Sequence, residues 1–215
     1  MKVTAINGSP KAEGSISGLI IKHTEQILGE KMQLYHALRL VQGKTAHETV
    51  EAILDADVLL VVFPLYVDSL PAPLTELLTR LEDAARCVSV NTRVFAIANC
   101  GLYEPEHTAL ALDMVRFFAE RSGFEWGCGL GIGRGGMLAS MGKNWSGGPV
   151  SGVYAALCNM ADAMRDGRRE KNGFAAPKFP RFLYIAAANM GWRTQARQNG
   201  VRKRLKAQPY AKGSG

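Results

Sequence analysis

Residues 6–17 read INGSPKAEGSIS, a run of small hydroxyls and glycines with one cation. Those are the residue types of an anion site. Ser9, Ser15 and Ser17 offer hydroxyl donors, and Lys11 offers a full charge. Gly8, Gly14 and Gly18 let the backbone close around a tetrahedral group. The run sits between a β-branched segment and a helical one. A helix start carries unpaired N–H groups and partial positive charge, so the position suits a phosphate. The same letters also spell a plain turn before a Ser-capped helix, since Asn-Gly and Ser-Pro are ordinary turn formers.

Two later loops depart from common loop composition. FPLYVDSLPAP (63–73) leaves an apolar run with Pro64, Leu65, Tyr66 and Val67, stiffened by Pro64 and Pro71. A rigid loop with apolar and aromatic groups suits the face of a planar heterocycle. NCGLYEPEH (99–107) brings an amide at Asn99, a small residue at Gly101 and a ring at Tyr103, which suit a heterocycle's polar edge. Cys100 with His107 also has the makings of a nucleophile and base, but a Cys at a strand end is usually a small apolar residue. GIGRGG (131–136) matches a dinucleotide fingerprint in letters only. It follows a fifth strand, and no acidic residue lies between Trp126 and Ala161 to hold a ribose hydroxyl. His23, His36, His47 and His107 are scattered, and Cys87, Cys100, Cys128 and Cys158 form no CxxC. No metal site is expected.

Strand-like and helix-like segments alternate around these loops. Strands are expected over 2–7, 32–38, 57–66, 92–101 and 124–133. Helices are expected over 15–29, 45–56, 72–85, 105–123, 148–167 and 180–200. Thr45 with Glu48 has the capping-box spacing. The run VLLVVF reads as a strand buried on both faces. The pattern predicts an α/β fold: a flavodoxin-like, doubly wound, five-stranded parallel sheet of order 2-1-3-4-5, with a C-terminal helical extension. In such a sheet, ligands bind at the carboxyl ends of the strands, where the three unusual loops lie. The expected division is a domain over 1–170 and a basic extension over 171–215.

Charge supports that division. The 215 residues carry a net +7. Residues 1–170 hold 16 Lys and Arg against 19 Asp and Glu, whereas residues 171–215 hold 10 Lys and Arg and no acid. The extension therefore fits a solvated arm or one packed on another subunit. Nucleic-acid binding would need aromatic groups among the basic ones, and only Trp192 and Tyr210 qualify. The longest apolar run is far short of the about 20 residues that span a bilayer, and no signal-peptide h-region appears. A reduced, cytoplasmic protein with no membrane partner is expected.

The three loops in register resemble those of the flavodoxin-like NAD(P)H-dependent FMN reductases and related quinone reductases. The resemblance implies FMN held without a covalent bond and reduced by NAD(P)H. The first loop would hold the phosphate through Ser9, Lys11, Ser15, Ile16 and Ser17. Ile16 stands where the family often has Asn, so it would offer only its backbone N–H. The isoalloxazine would lie on Pro64, Leu65, Tyr66 and Val67, and against Asn99, Cys100, Gly101, Leu102, Tyr103 and Glu104. The flavin carries the reactivity, so no acid–base residue is assigned. The resemblance also implies a homodimer or homotetramer, and electron transfer to a small-molecule acceptor such as a quinone, nitro or azo compound. A flavodoxin-like electron carrier is the alternative, and would call for an acidic docking surface. The resemblance gives no role to the stretch GRGGMLASMGKNWSGG.

Overall fold

The computed structural model describes residues 1–207 except 12, 44–46, 89–90 and 143. Thr45 and Tyr210 lie outside the described residues. The chain divides into two compact units, Met1–Lys178 and Phe179–Gly215.

The first unit is built on a parallel sheet. Its strands are β1 (Val3–Asn7), β2 (Gln33–His36), β3 (Val58–Pro64), β4 (Arg93–Asn99), β5 (Glu125–Ile132) and β6 (Gly173–Ala175), in the order β2-β1-β3-β4-β5-β6. The doubly wound sheet stands as expected, with one strand more. β6 has three residues, too few to show a period, and pairs with Leu130–Ile132 of β5. The helices are α1 (Ile16–Leu28), α2 (Ala37–Gln42), α3 (His47–Leu54), α4 (Ala72–Ala85), α5 (Ala109–Arg121) and α6 (Ser151–Asp166). The short α2 is absent from the sequence reading.

Alternation along β3 shows why the apolar run must be a central strand. Val58, Leu60 and Val62 enter the core under α1 and α6, with Ile20, Leu157 and Met160. Leu59, Val61 and Phe63 enter the opposite core under α4 and α5, with Leu77, Leu81 and Val115. Both faces are covered, so an unbroken apolar strand is what the packing demands.

β5 is apolar on one face and bare on the other. Cys128, Leu130 and Ile132 fill the first core, while Gly127, Gly129 and Gly131 alternate with them. A methyl added at Gly131 would collide first with the Thr108 hydroxyl and lie 2.6 Å from the Phe174 ring, and one at Gly133 would lie 2.9 Å from the Pro105 nitrogen. The first two glycines of the fingerprint, Gly131 and Gly133, are thus packing devices. At Gly127 the pairing of β4 and β5 skips a residue, giving room to the Phe95 ring.

The second unit contains α7 (Arg181–Gln198) and a short 3-10 turn, Arg202–Arg204. Phe182, Met190 and Trp192 are exposed. At 3.6 residues per turn, Arg193 and Arg197 share a side with Phe182, Ala186 and Met190. The helix therefore has no clean apolar stripe, contrary to the amphipathic reading of 180–200.

Candidate functional site

Parallel pairing brings the ends of the strands to one edge. Asn7 sits opposite His36 and Val62, Pro64 opposite Asn99, and Asn99 opposite Ile132. The three loops leave from this edge, and hydrogen bonds join them there. Leu65 N–H donates to the Asn99 carbonyl at 2.8 Å. The Asn99 amide donates to Ser17 Oγ at 3.0 Å and to the Phe63 carbonyl at 2.8 Å.

The first loop is held open by its own side chains. Ser9 N–H donates to Asn7 Oδ1 at 3.0 Å, and Lys11 N–H donates to Ser9 Oγ at 3.2 Å. Lys11 Nζ reaches back to the Gly14 carbonyl at 3.1 Å. Ser15 is the N-cap of α1, and its Oγ accepts from Gly18 N–H at 3.0 Å and from Asn7 Nδ2 at 3.1 Å. Both lone pairs of that oxygen are engaged, so its hydrogen is left to donate outward. Among the described residues, the N–H groups of Ile16 and Ser17 have no acceptor. Two free N–H groups, one hydroxyl hydrogen and the Lys11 charge make a donor-only set, which is what an anion requires.

An open pocket of about 370 Å³ lies against this helix start, lined by Asn7, Gly14, Ser15, Ile16, Lys22 and His36 among others. Lys22 and His36 were not foreseen. The signals were present: Lys22 follows Ser15 by two helical turns, and strand order sets His36 beside Asn7. Burial, and secondarily Arg39, lowers the His36 pKa, so it enters the site as a neutral imidazole.

The second loop ends in a tight turn. Tyr66 and Ser69 exchange two backbone hydrogen bonds of 3.0 Å, and Val67 and Asp68 between them have φ of 50° and 56°. This two-residue turn with both φ positive holds a fully exposed Val67 at its tip and a half-exposed Tyr66 behind it. Pro64 and Leu65 are half-buried at the base.

The third loop departs from the sequence reading in two places. Asn99 is buried and its amide donors serve Ser17 and Phe63, so it joins strands and helix instead of facing a heterocycle. Cys100 is buried too, and its N–H donates to the Ile132 carbonyl at 2.8 Å. Burial pushes its thiol pKa up, which removes the nucleophile reading with His107. His107 instead lies 3.8 Å from Glu104. Gly101 and Leu102 are exposed, while Tyr103 and Glu104 are half-buried.

The segment after β5 packs on the third loop and on α1. The Arg134 guanidinium lies 3.5 Å from the centre of the Tyr103 ring. Further on, Leu138 and Trp145 are buried, and Trp145 stacks on His23 of α1 with ring centres 3.9 Å apart. Burial lowers the His23 pKa, with Lys22 adding to it, so the stack holds a neutral imidazole. The glycine-rich stretch thus caps the outer face of α1. Arg134 went unrecognised because nothing in GIGRGG distinguishes an arginine that folds back on the preceding loop.

The residues present fit FMN: a donor-only cradle for the phosphate and an apolar, aromatic loop for the ring. Comparison with protein families matches residues 1–118 to the family described as NADPH-dependent FMN reductase. Comparison with the curated proteins gives no match. Solved structures show the same fold at low identity. An NADH:FMN oxidoreductase in its apo form is 21% identical with a TM-score of 0.58, over 79% of this chain and 90% of that one. An NADPH-quinone reductase from P. pentosaceus is 14% identical with a TM-score of 0.53, over 75% of this chain and 98% of that one. An azoreductase from Bacillus anthracis is 13% identical with a TM-score of 0.50, over 77% and 99%.

Proposed function

The chain belongs to the NADPH-dependent FMN reductase family, and from that premise we propose which of its residues hold FMN and what it reduces. The family makes the protein an NAD(P)H-dependent reductase with FMN as cofactor. The phosphate is held by the N–H groups of Ile16 and Ser17, the Ser15 hydroxyl and Lys11, with Ser9 shaping the loop. Pro64, Leu65, Tyr66 and Val67 form the platform for the ring, and the loop from Gly101 to Glu104 borders its polar edge. Bound FMN supplies the hydride chemistry. The protein holds the ring at the sheet edge and leaves an open side where nicotinamide and then acceptor can lie. No side chain needs to move a proton.

The acceptor we propose is a flat, electron-poor molecule of the quinone or azo class. The two structural neighbours named for quinone and azo substrates share the fold. A homodimer is part of this reading, because Leu102, Leu110 and Phe117 leave a run of exposed apolar side chains from the third loop along α5. Light scattering tests that assembly. Among the described residues, no helix is long and apolar enough to cross a membrane.

One observation carries the reading: two N–H groups without acceptors among the described residues meet a hydroxyl hydrogen at the start of α1. Comparing FMN with riboflavin tests it. Two charge-assisted hydrogen bonds contribute about 3 kcal/mol together, so FMN should bind roughly 100-fold tighter. Equal affinities would defeat the phosphate assignment.

A further inference from the structure

Among the described residues, the turn after β5 holds a cation with no counter-ion. Arg134 has φ of 54°, a conformation that non-glycine residues adopt only at a cost. Its N–H donates to the Leu102 carbonyl at 2.8 Å, and the following N–H, of Gly135, donates to the Cys100 carbonyl at 2.7 Å. Together they clamp the third loop. The guanidinium lies against the Tyr103 ring, and Nη1 donates to the Pro177 carbonyl. Its Nε is buried and unpartnered, and among the described residues no carboxylate pairs with the group. A half-buried charge without a partner is unfavourable, and arginine cannot escape by losing its proton. Backbone strain and an unanswered charge therefore coincide at one residue, at the edge where the ring is proposed to sit.

We propose that Arg134 is a positioning residue that fixes Tyr103 and the third loop, and whose charge favours the reduced form of bound FMN over the oxidised form. The inference rests on the FMN reading above. The oxidised ring is neutral, whereas the reduced ring near neutral pH carries a negative charge on its pyrimidine side. A cation fixed against the loop that borders the polar edge stabilises the second form more than the first. A planar guanidinium can stack on Tyr103 and donate to Pro177 at once; an ammonium keeps the charge but loses the stack.

The test compares binding of oxidised FMN with anaerobic binding of dithionite-reduced FMN. Arg134→Gly removes the charge while suiting the left-handed backbone, so the turn itself is spared. Its loss of affinity should be about tenfold greater for reduced than for oxidised FMN, which corresponds to a two-electron potential lower by about 30 mV. Arg134→Lys should weaken both forms yet hold their ratio within about twofold of wild type. If the glycine variant does not fold, Arg134→Gln replaces it, with the same loss of ratio expected. Equal losses for the two forms in the neutral variants overturn the proposal and leave Arg134 a clamp only. A wild-type protein that binds neither form would defeat the FMN reading, and the proposal with it.

Discussion

Replacing Val67 with Asn should stabilise the protein and weaken its grip on FMN. Val67 is 98% exposed, so its side chain has no packing to lose on folding. Its φ of 50° forces a β-branched residue into the left-handed region, which costs about 1–2 kcal/mol. Asparagine enters that region readily, and it avoids the larger unfolded-state entropy of glycine. Relief of the strain should contribute about 1 kcal/mol, or about 2–4 °C in Tm for a chain of this size. The same change removes an apolar group from the proposed ring platform. Covering a valine side chain is worth about 1.5 kcal/mol, so FMN affinity should fall by roughly tenfold. Far-UV circular dichroism on the apo protein gives the first number, and fluorescence titration with FMN gives the second. A Tm that is unchanged or lower would refute the strain argument. A higher Tm with undiminished FMN affinity would refute the link between strain and site.

Three other perturbations probe the remaining parts. Ser15→Ala removes the acceptor for Gly18 N–H and Asn7 Nδ2; thermal melts should show about 1 kcal/mol lost, and FMN binding should fall more than riboflavin binding. Gly131→Ala places a methyl 2.6 Å from the Phe174 ring; urea denaturation should show about 1–3 kcal/mol lost, with nicotinamide affinity no more affected than stability requires. Cys128 has its pKa pushed up to about 12 by burial, with Glu170 secondary. Above pH 9 the unfolded chain releases that proton while the folded chain keeps it. Stability should therefore be insensitive to this group below pH 9 and fall as pH rises towards 12. The gap between wild type and Cys128→Ala, read by urea midpoints across that window, isolates the effect.

Much of the fold was legible because it rests on periodicity. The buried run of β3 and the apolar spacing of α1 and α4 each state their own surroundings. β6 was not legible, since three residues carry no period and Gly173–Ala175 gains meaning only beside β5. The apolar letters of α7 misled for a related reason: their number suggested a stripe, but Arg193 and Arg197 fall on the same side. In the site, residue types pointed to a donor-rich first loop, and the structure supplies the donors. What they do not reveal is direction. Asn99 and Cys100 carry the right chemistry for a ligand, yet the Asn99 amide donates to Ser17 and Phe63, and the Cys100 thiol is buried beside the Glu104 carbonyl. Conversely, His36 and Lys22 join the first loop only through strand order and helical phase.

Strain marks the carboxyl edge of the sheet independently of any motif. Among the described residues, the non-glycine residues with positive φ are Val67, Asp68 and Arg134. All three belong to loops leaving the carboxyl edge of one sheet. Valine is a poor choice for such a turn, and arginine brings into its own a charge that no carboxylate answers among the described residues. Neither choice is explained by stability, since asparagine or glycine would relieve both. A sequence that is otherwise consistent with its fold, down to the glycines cleared for Phe95 and Phe174, departs from consistency at the edge where FMN is proposed to bind. The first loop is different in kind. Its hydrogen bonds are satisfied inward by Asn7, Ser9 and Ser15, so it is shaped before any anion arrives. On the proposed FMN reading, the first loop, shaped in advance, supplies anchoring at the phosphate, while the two strained loops are where binding of the ring is set against strain and charge.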